Sequence, residues 1–334
     1  MKKILYLSPR LDCSFKEGHV PDVEGMPNHP VRLHWVEFEK RLLEFSYKHG
    51  HTFEVLKKPL WQFSPEDVKE SDCDIALVPH HDFQTFDAGP RVRYYMQMGF
   101  PWLFSIDTRG WCGDGADWPI PWNGGPYDPN LFEQLKKTML SQNASKFQQP
   151  NVKVSLPDKF ILFCCQLPHD MTIMRHSDTT VEKALSATML FAHSKNIPVV
   201  AKGHPINPGS MLQIKKVFDD YKKPGDMWVD NVSIHQCLDE CEAMFSVNSG
   251  GAGLDAILHQ KPIFTFGRVD YHSIAHSFEA LMSGTESADE YIEATWDNRD
   301  FYLDKYASFI YNYFKMRYDV TDLKSFDKLN HAIL

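Results

Sequence analysis

The sequence predicts an α/β protein built on two successive open, mostly parallel sheets. Short apolar runs alternate with helix-period segments along most of the chain. That alternation breaks once, in a Gly/Pro-rich loop, and then restarts. The length of 334 residues suits two domains of about 150 residues each.

Residues 3–7 form a first strand, ended by Ser8-Pro9-Arg10, and are too short for a signal-peptide core. Residues 31–48 place Leu33, Val36, Phe38, Leu42, Leu43 and Phe45 at helical spacing. Residues 53–56 and 74–79 read as strands, 90–98 as a short helix and 102–106 as a strand. Strands separated by helices imply βαβ units. The long loop at 107–129 is of a kind that is often functional. A helix at 130–141 and a polar segment at 142–157 then look like the passage between domains.

The second half repeats the rhythm. Strands are expected at 159–166, 197–202, 227–229, 242–247 and 262–266, and helices at 179–194, 210–221 and 251–259. This is an open α/β sheet of the Rossmann kind. From residue 273 onward the chain reads as mainly helical. The expected domains are therefore residues 1–145, a linker at 146–157, a second Rossmann-like domain at 158–290, and a helical tail at 291–334 packing back on the first.

Apolar residues make up 43% of the chain and aromatic ones 13%, enough for real cores. The net charge of −9 argues against non-specific nucleic-acid binding, while leaving room for a local basic pocket. Seven cysteines, an odd number, suit a reducing compartment. Cys164 and Cys165 sit in an apolar run, and Cys237 and Cys241 lack a second zinc-spaced pair. His80-His81-Asp82 lacks a third ligand at a recognised spacing, so no metal is expected. No run reaches the roughly 18 apolar residues of a membrane span.

Four strand ends carry chemistry. At Val247-Asn248-Ser249-Gly250-Gly251 a strand runs into a glycine-rich turn and a helix start, where free N–H groups favour an anion. Asn248 and Ser249 either add donors there or cap the helix. No Walker lysine follows, and Gly-x-Gly-x-x-Gly is absent. Lys202-Gly203-His204-Pro205 delivers a lysine and an imidazole to a sheet edge, with Pro205 restraining His204. Gln166, His169 and Asp170 follow another strand, where Asp170 is a nucleophile, a general base or only a loop cap. Asp107-Thr108-Arg109-Gly110 ends a first-half strand, with Asp107 a candidate acid/base and Arg109 an anion contact. Asp114 and Asp117 are further candidates or solvated turn residues.

As an ordered set over residues 159–275, these segments resemble the capsular polysaccharide synthesis/export family, which includes retaining β-Kdo transferases. The resemblance rests on Gln166-x-x-x-Asp170, Lys202-Gly203-His204-Pro205, and Val247 through Leu258. It extends through Lys261-Pro262-Ile263-Phe264 and Gly267-x-x-x-Tyr271. Lys-Gly-His-Pro departs from the commoner Lys-Pro-His-Pro, and Asp255 stands where that family has Glu. The resemblance implies a GT-B fold, two Rossmann-like domains facing across a cleft, with the donor in the C-terminal one. It implies a CMP-linked sugar donor, best Kdo, held by Lys202, His204, Pro205 and the Asn248–Gly251 turn without a metal or other cofactor. Asp170 would be the nucleophile and Asp107 the acid/base, with carboxylates suited to double displacement. The expected acceptor is a saccharide or glycolipid. The protein is expected in the cytoplasm, peripheral at the inner membrane face where capsule-assembly partners recruit it. The rival readings are a CDP-glycerol-type glycerophosphotransferase, a UDP- or GDP-sugar GT-B enzyme using Asp255 for the ribose, and a non-catalytic capsule-assembly subunit.

Overall fold

The computed structural model describes residues 1–9, 30–80, 86–122, 127–147, 149–205, 208–279 and 299–329. Arg10, Cys13, His81, Asp82 and the parts of the expected tail at 280–298 and 330–334 lie outside them. The chain forms two compact units, residues 1–118 with 314–334, and residues 119–313.

The first unit holds β1 (Lys3–Pro9), α1 (Pro30–Lys48), β2 (Thr52–Lys58), α2 (Pro65–Lys69), β3 (Ile75–Pro79), β4 (Val92–Gln97) and β5 (Leu103–Asp107). A late strand, β12 (Tyr318–Asp319), completes the sheet in the order β12-β5-β4-β3-β1-β2. β1, β2, β3 and β4 run parallel, whereas β5 is antiparallel to β4 and β12 is antiparallel to β5. The helix expected at 90–98 is therefore a correction: the segment is β4. Val92, Tyr94 and Tyr95 favour an extended backbone, and β3 on one side and β5 on the other take up the ladder bonds. Tyr95 also donates its hydroxyl to Leu7 O at 2.7 Å. On the face of this sheet, Phe38 of α1 is fully buried and stacks on Phe104 with ring centroids 4.1 Å apart.

The second unit contains α3 (Pro129–Ser141), β6 (Ile161–Cys164), α4 (Met171–His176), α5 (Val181–Ser194), β7 (Val199–Lys202), α6 (Leu212–Tyr221) and β8 (Met227–Val229). It continues through α7 (Ile234–Glu240), β9 (Ala243–Ser246), α8 (Gly250–Leu258), β10 (Ile263–Thr265) and β11 (His276–Ser277), and α9 (Arg299–Lys315) follows. Strands β6 to β11 form a sheet ordered β11-β10-β9-β6-β7-β8, with every pair parallel. Numbered from β6, this is the 3-2-1-4-5-6 order of a Rossmann fold, with its switch point between β6 and β9. All four residues of β6, β7 and β9 are buried, as the continuous apolar runs require of strands covered on both faces.

The polar segment at 142–157 is bonded along its length to the second unit. Ser233 Oγ donates to Asn143 Oδ1 at 2.6 Å, and Ile234 N to Gln149 Oε1 at 2.9 Å. Gln236 Nε2 donates to Val154 O at 2.6 Å. Those bonds account for a unit boundary at residue 118 rather than near 145. Helices α4 and α7, each under two turns, have too few residues to give a periodic signal.

The core of this unit rests on aromatic stacking behind β9. Phe245 is fully buried, with its ring 4.5 Å from that of Phe264. Phe245→Ala is expected to lower stability by about 3–5 kcal/mol, read as the shift of a urea unfolding curve.

Candidate functional site

The carboxyl ends of β6 and β9 meet at the switch point, and a closed set of hydrogen bonds joins them. Asn248 N donates to Gln166 Oε1 at 2.9 Å, and Gln166 Nε2 donates back to Asn248 Oδ1 at 3.0 Å. Asn248 Nδ2 donates to Thr172 O at 2.8 Å. Thr172 in turn donates to Asp170 Oδ1 from its backbone N, at 2.8 Å, and from Oγ1, at 2.7 Å. Gln166 and Asn248 are both buried. Asn248, expected to hold a phosphate through its side chain, instead uses that amide to tie β9 to β6 and α4. Asp170 caps α4 with Oδ1, while Oδ2 makes no hydrogen bond among the described residues.

Directly after Asn248 the chain enters α8. The first helical bond runs from Gly253 N to Ser249 O at 3.1 Å, so the N–H groups of Gly250, Gly251 and Ala252 precede the ladder. Such a terminus carries partial positive charge. Tyr271, fully buried, donates its hydroxyl to Ser249 O at 2.7 Å. Its ring lies where a Cβ at 253 would stand, so Gly253 is needed for this close approach.

β7 ends on Lys202, which is only 5% exposed and whose ammonium has no hydrogen bond or ion pair among the described residues. Gly203 N donates to Val229 O at 2.9 Å, and a Cβ there would fall on Asp230 Oδ1. Trp228 Nε1 holds that carboxylate at 2.8 Å. These contacts require glycine at 203, since a proline there could neither donate nor fit. The half-buried His204 has its imidazole pulled down to about 4 by burial, with Asp170 opposing and Lys202 and Lys146 adding to the fall. It is a neutral ring near pH 7, with one N–H to donate. Pro205 is exposed, and His169 is exposed beside Asp170.

Residues 130–275 match the family model described as capsule polysaccharide biosynthesis protein. The span contains Gln166, Asp170, Lys202, His204, Asn248, Asp255 and Tyr271, and leaves out Asp107 and Arg109. No curated protein sequence matches the chain. Among solved structures it is similar to Thermosulfurimonas dismutans KpsC, a beta Kdo 2,4 transferase, with 14% identity and a TM-score of 0.51. That likeness covers 84% of this chain and 91% of KpsC, and shows a two-domain Rossmann-like fold of the GT-B class. S. aureus MnaA, solved with UDP, has 12% identity and a TM-score of 0.42 over 100% of this chain and 98% of its own. The Methanocaldococcus jannaschii UDP-GlcNAc 2-epimerase has 9% identity and a TM-score of 0.37, over 89% and 93%.

Asp255 is 2% exposed and accepts a hydrogen bond from Ser145 Oγ. Nearby, His235 Nε2 donates to Ala144 O at 2.7 Å, and His235 Nδ1 meets His259 Nε2 at 3.0 Å. His259 Nδ1 reaches Asp239 at 2.9 Å. Asp239 is held below the usual carboxylate range, first by its bond to His259.

Asp107 belongs to the first unit, and the structure removes the premise that singled it out. β5 is antiparallel to β4, pairing Asp107 with Tyr94, so its end lies at the edge opposite the carboxyl ends of β1, β3 and β4. Asp107 closes its loop: its oxygens accept from Arg109 N at 2.6 Å, Gly110 N at 3.1 Å and Ala116 N at 2.7 Å. Arg109 is exposed. Asp117 pairs with the buried Arg317, which makes it a structural residue rather than a solvated one. Among the described residues, no three His, Cys, Asp or Glu side chains group to hold a metal ion. Cys237 and Cys241 are buried thiols, pushed up by burial to about 11 and about 12. No described helix is long and apolar enough to cross a membrane.

Burial raises the Asp255 carboxyl to about 6, against the opposing pulls of His235, Ser145 and Lys202. A folded value above the unfolded one means the carboxyl costs nothing at low pH. Stability then falls as pH rises through the unfolded value to about 6, and the cost is complete above that. Asp255→Asn keeps an acceptor for Ser145 and carries no charge. It is expected to raise the thermal midpoint at about pH 8, with the gain gone near pH 4, in a pH series of thermal unfolding curves.

Proposed function

We propose that the chain is a glycosyltransferase of capsule polysaccharide synthesis that takes a sugar from a nucleotide-linked donor. The observation that carries this reading is Lys202. A buried ammonium that makes no hydrogen bond or ion pair among the described residues, with only the longer-range pull of Asp255 to offset its burial, is costly, and a bound anion lowers the cost. The anion that fits is the donor's phosphate, between Lys202, the N–H of His204 and the free amides of Gly250, Gly251 and Ala252. Ser249 adds a hydroxyl at the same helix start. These donors stabilise the departing phosphate without calling on a metal.

In this reading Asp170 is the nucleophile. Thr172 fixes one of its oxygens and leaves the other to attack the anomeric carbon as the bond to phosphate breaks. An acceptor hydroxyl on a saccharide or glycolipid, losing its proton to a base, then displaces the carboxylate with net retention. Asp107 is not assigned as that base, because it sits at the far edge of its own sheet. A cytidine donor is the finer proposal, and CMP-Kdo the finest, supported by the family match and by the fold shared with KpsC.

Thermal unfolding with CMP, CDP, UDP and GDP tests the donor class. Stabilisation by CMP, lost in His204→Ala, is expected. A preference for UDP would defeat the cytidine reading, and a preference for CDP would favour glycerophosphate transfer. With CMP-Kdo supplied, intact-mass spectrometry is expected to find a glycosyl adduct on the wild type that Asp170→Asn cannot form. Turnover without any adduct would argue for direct displacement.

A further inference from the structure

Four successive residues of the polar segment at 142–157, two of them at the start of the expected linker, touch α7, α8 and His204. Ala144 O accepts from His235. Ser145 Oγ donates to Asp255 of α8. The stem of Lys146 lies along the first turn of α8, its Cβ 3.4 Å and its Cδ 3.9 Å from where a Cβ on Gly251 would stand. The Phe147 ring meets His204 edge-on, with centroids 6.1 Å apart. The strap is thus held to α7 through Ala144, to α8 through Ser145 and to His204 through Phe147, and the Lys146 stem packs on the start of α8. Its charge is felt at His204, where it helps hold the imidazole neutral.

We propose that residues 144–147 are a wall of the donor pocket and that Lys146 contacts the donor's phosphate. The proposal rests on reading the pocket as a nucleotide-donor site. It gives that site a second ammonium beside Lys202, and the charge count suits the reaction. A phosphodiester donor brings one negative charge to the pocket, and the nucleoside monophosphate that leaves carries close to two. A second cation therefore gains strength as the glycosidic bond breaks, which is the differential stabilisation that accelerates chemistry. Lys146 favours departure of the nucleotide more than docking of the intact donor.

Calorimetric titration of CMP and cytidine into the wild type, Lys146→Met and Lys146→Arg tests this. Methionine keeps most of the stem over Gly251 and removes the charge. Lys146→Met is expected to bind CMP about ten-fold more weakly and to bind cytidine as the wild type does. Lys146→Arg is expected to recover most of the CMP affinity. Equal CMP binding by the wild type and Lys146→Met overturns the proposal alone, as does a parallel loss of CMP and cytidine. A wild type that binds neither CMP, nor another nucleotide, nor inorganic phosphate overturns the parent reading and this one together.

Discussion

The two hydrogen bonds between Gln166 and Asn248 are the constraint on which the rest of the site depends. They join the ends of two neighbouring parallel strands where the chain order of the sheet reverses, the point at which such sheets bind ligands. Everything proposed for the pocket hangs from this clasp. On the β6 side, Thr172 passes it to Asp170 and orients one carboxylate oxygen. On the β9 side, the residue after Asn248 starts α8, so the clasp sets the direction of that helix terminus. Removing either amide would leave buried polar groups unsatisfied on two elements at once.

Around that clasp, close packing rather than hydrogen bonding decides which residues are permitted. Gly253 leaves the space that the Tyr271 ring occupies, and Tyr271 returns a bond to Ser249 O at the helix start. Gly203 lets Asp230 approach the backbone of the Lys-Gly-His-Pro turn. The first fixes where α8 begins, and the second fixes where Lys202 and His204 leave β7. Both glycines act on the pocket from outside it.

Much of this was legible in the sequence, for reasons tied to particular residues. The second sheet announced itself because its strands are buried on both faces and read as unbroken apolar runs, such as the one that becomes β6. Lys202 and His204 stood out as polar residues at the end of such a run. The reversal of β5 did not show, because a strand's direction leaves no trace in its composition, and so Asp107 was placed at the wrong edge of its sheet. The segment 90–98 opened on a proline and passed for a helix, though its tyrosines and Val92 serve a central strand. Asn248 spends its side-chain amide on Gln166 and Thr172, and sequence does not tell a donor aimed at a ligand from one spent on a neighbour. Lys146 lies in a polar stretch with no periodicity, and only its packing along Gly251 marks it as a candidate for the proposed pocket.

The clasp also has a kinetic meaning. Gln166 and Asn248 are 82 residues apart in the chain, and the strands that follow β6, β7 and β8, fold between them. Closing a loop of that length is paid before the bonds reward it, so contacts of this kind form late. The proposed pocket therefore comes into being only when both halves of the Rossmann sheet have joined. A nascent chain released before β9 has all of Lys202, His204 and Asp170 and still lacks a pocket. The proposed nucleotide binding would in that sense report on the completion of the domain's folding.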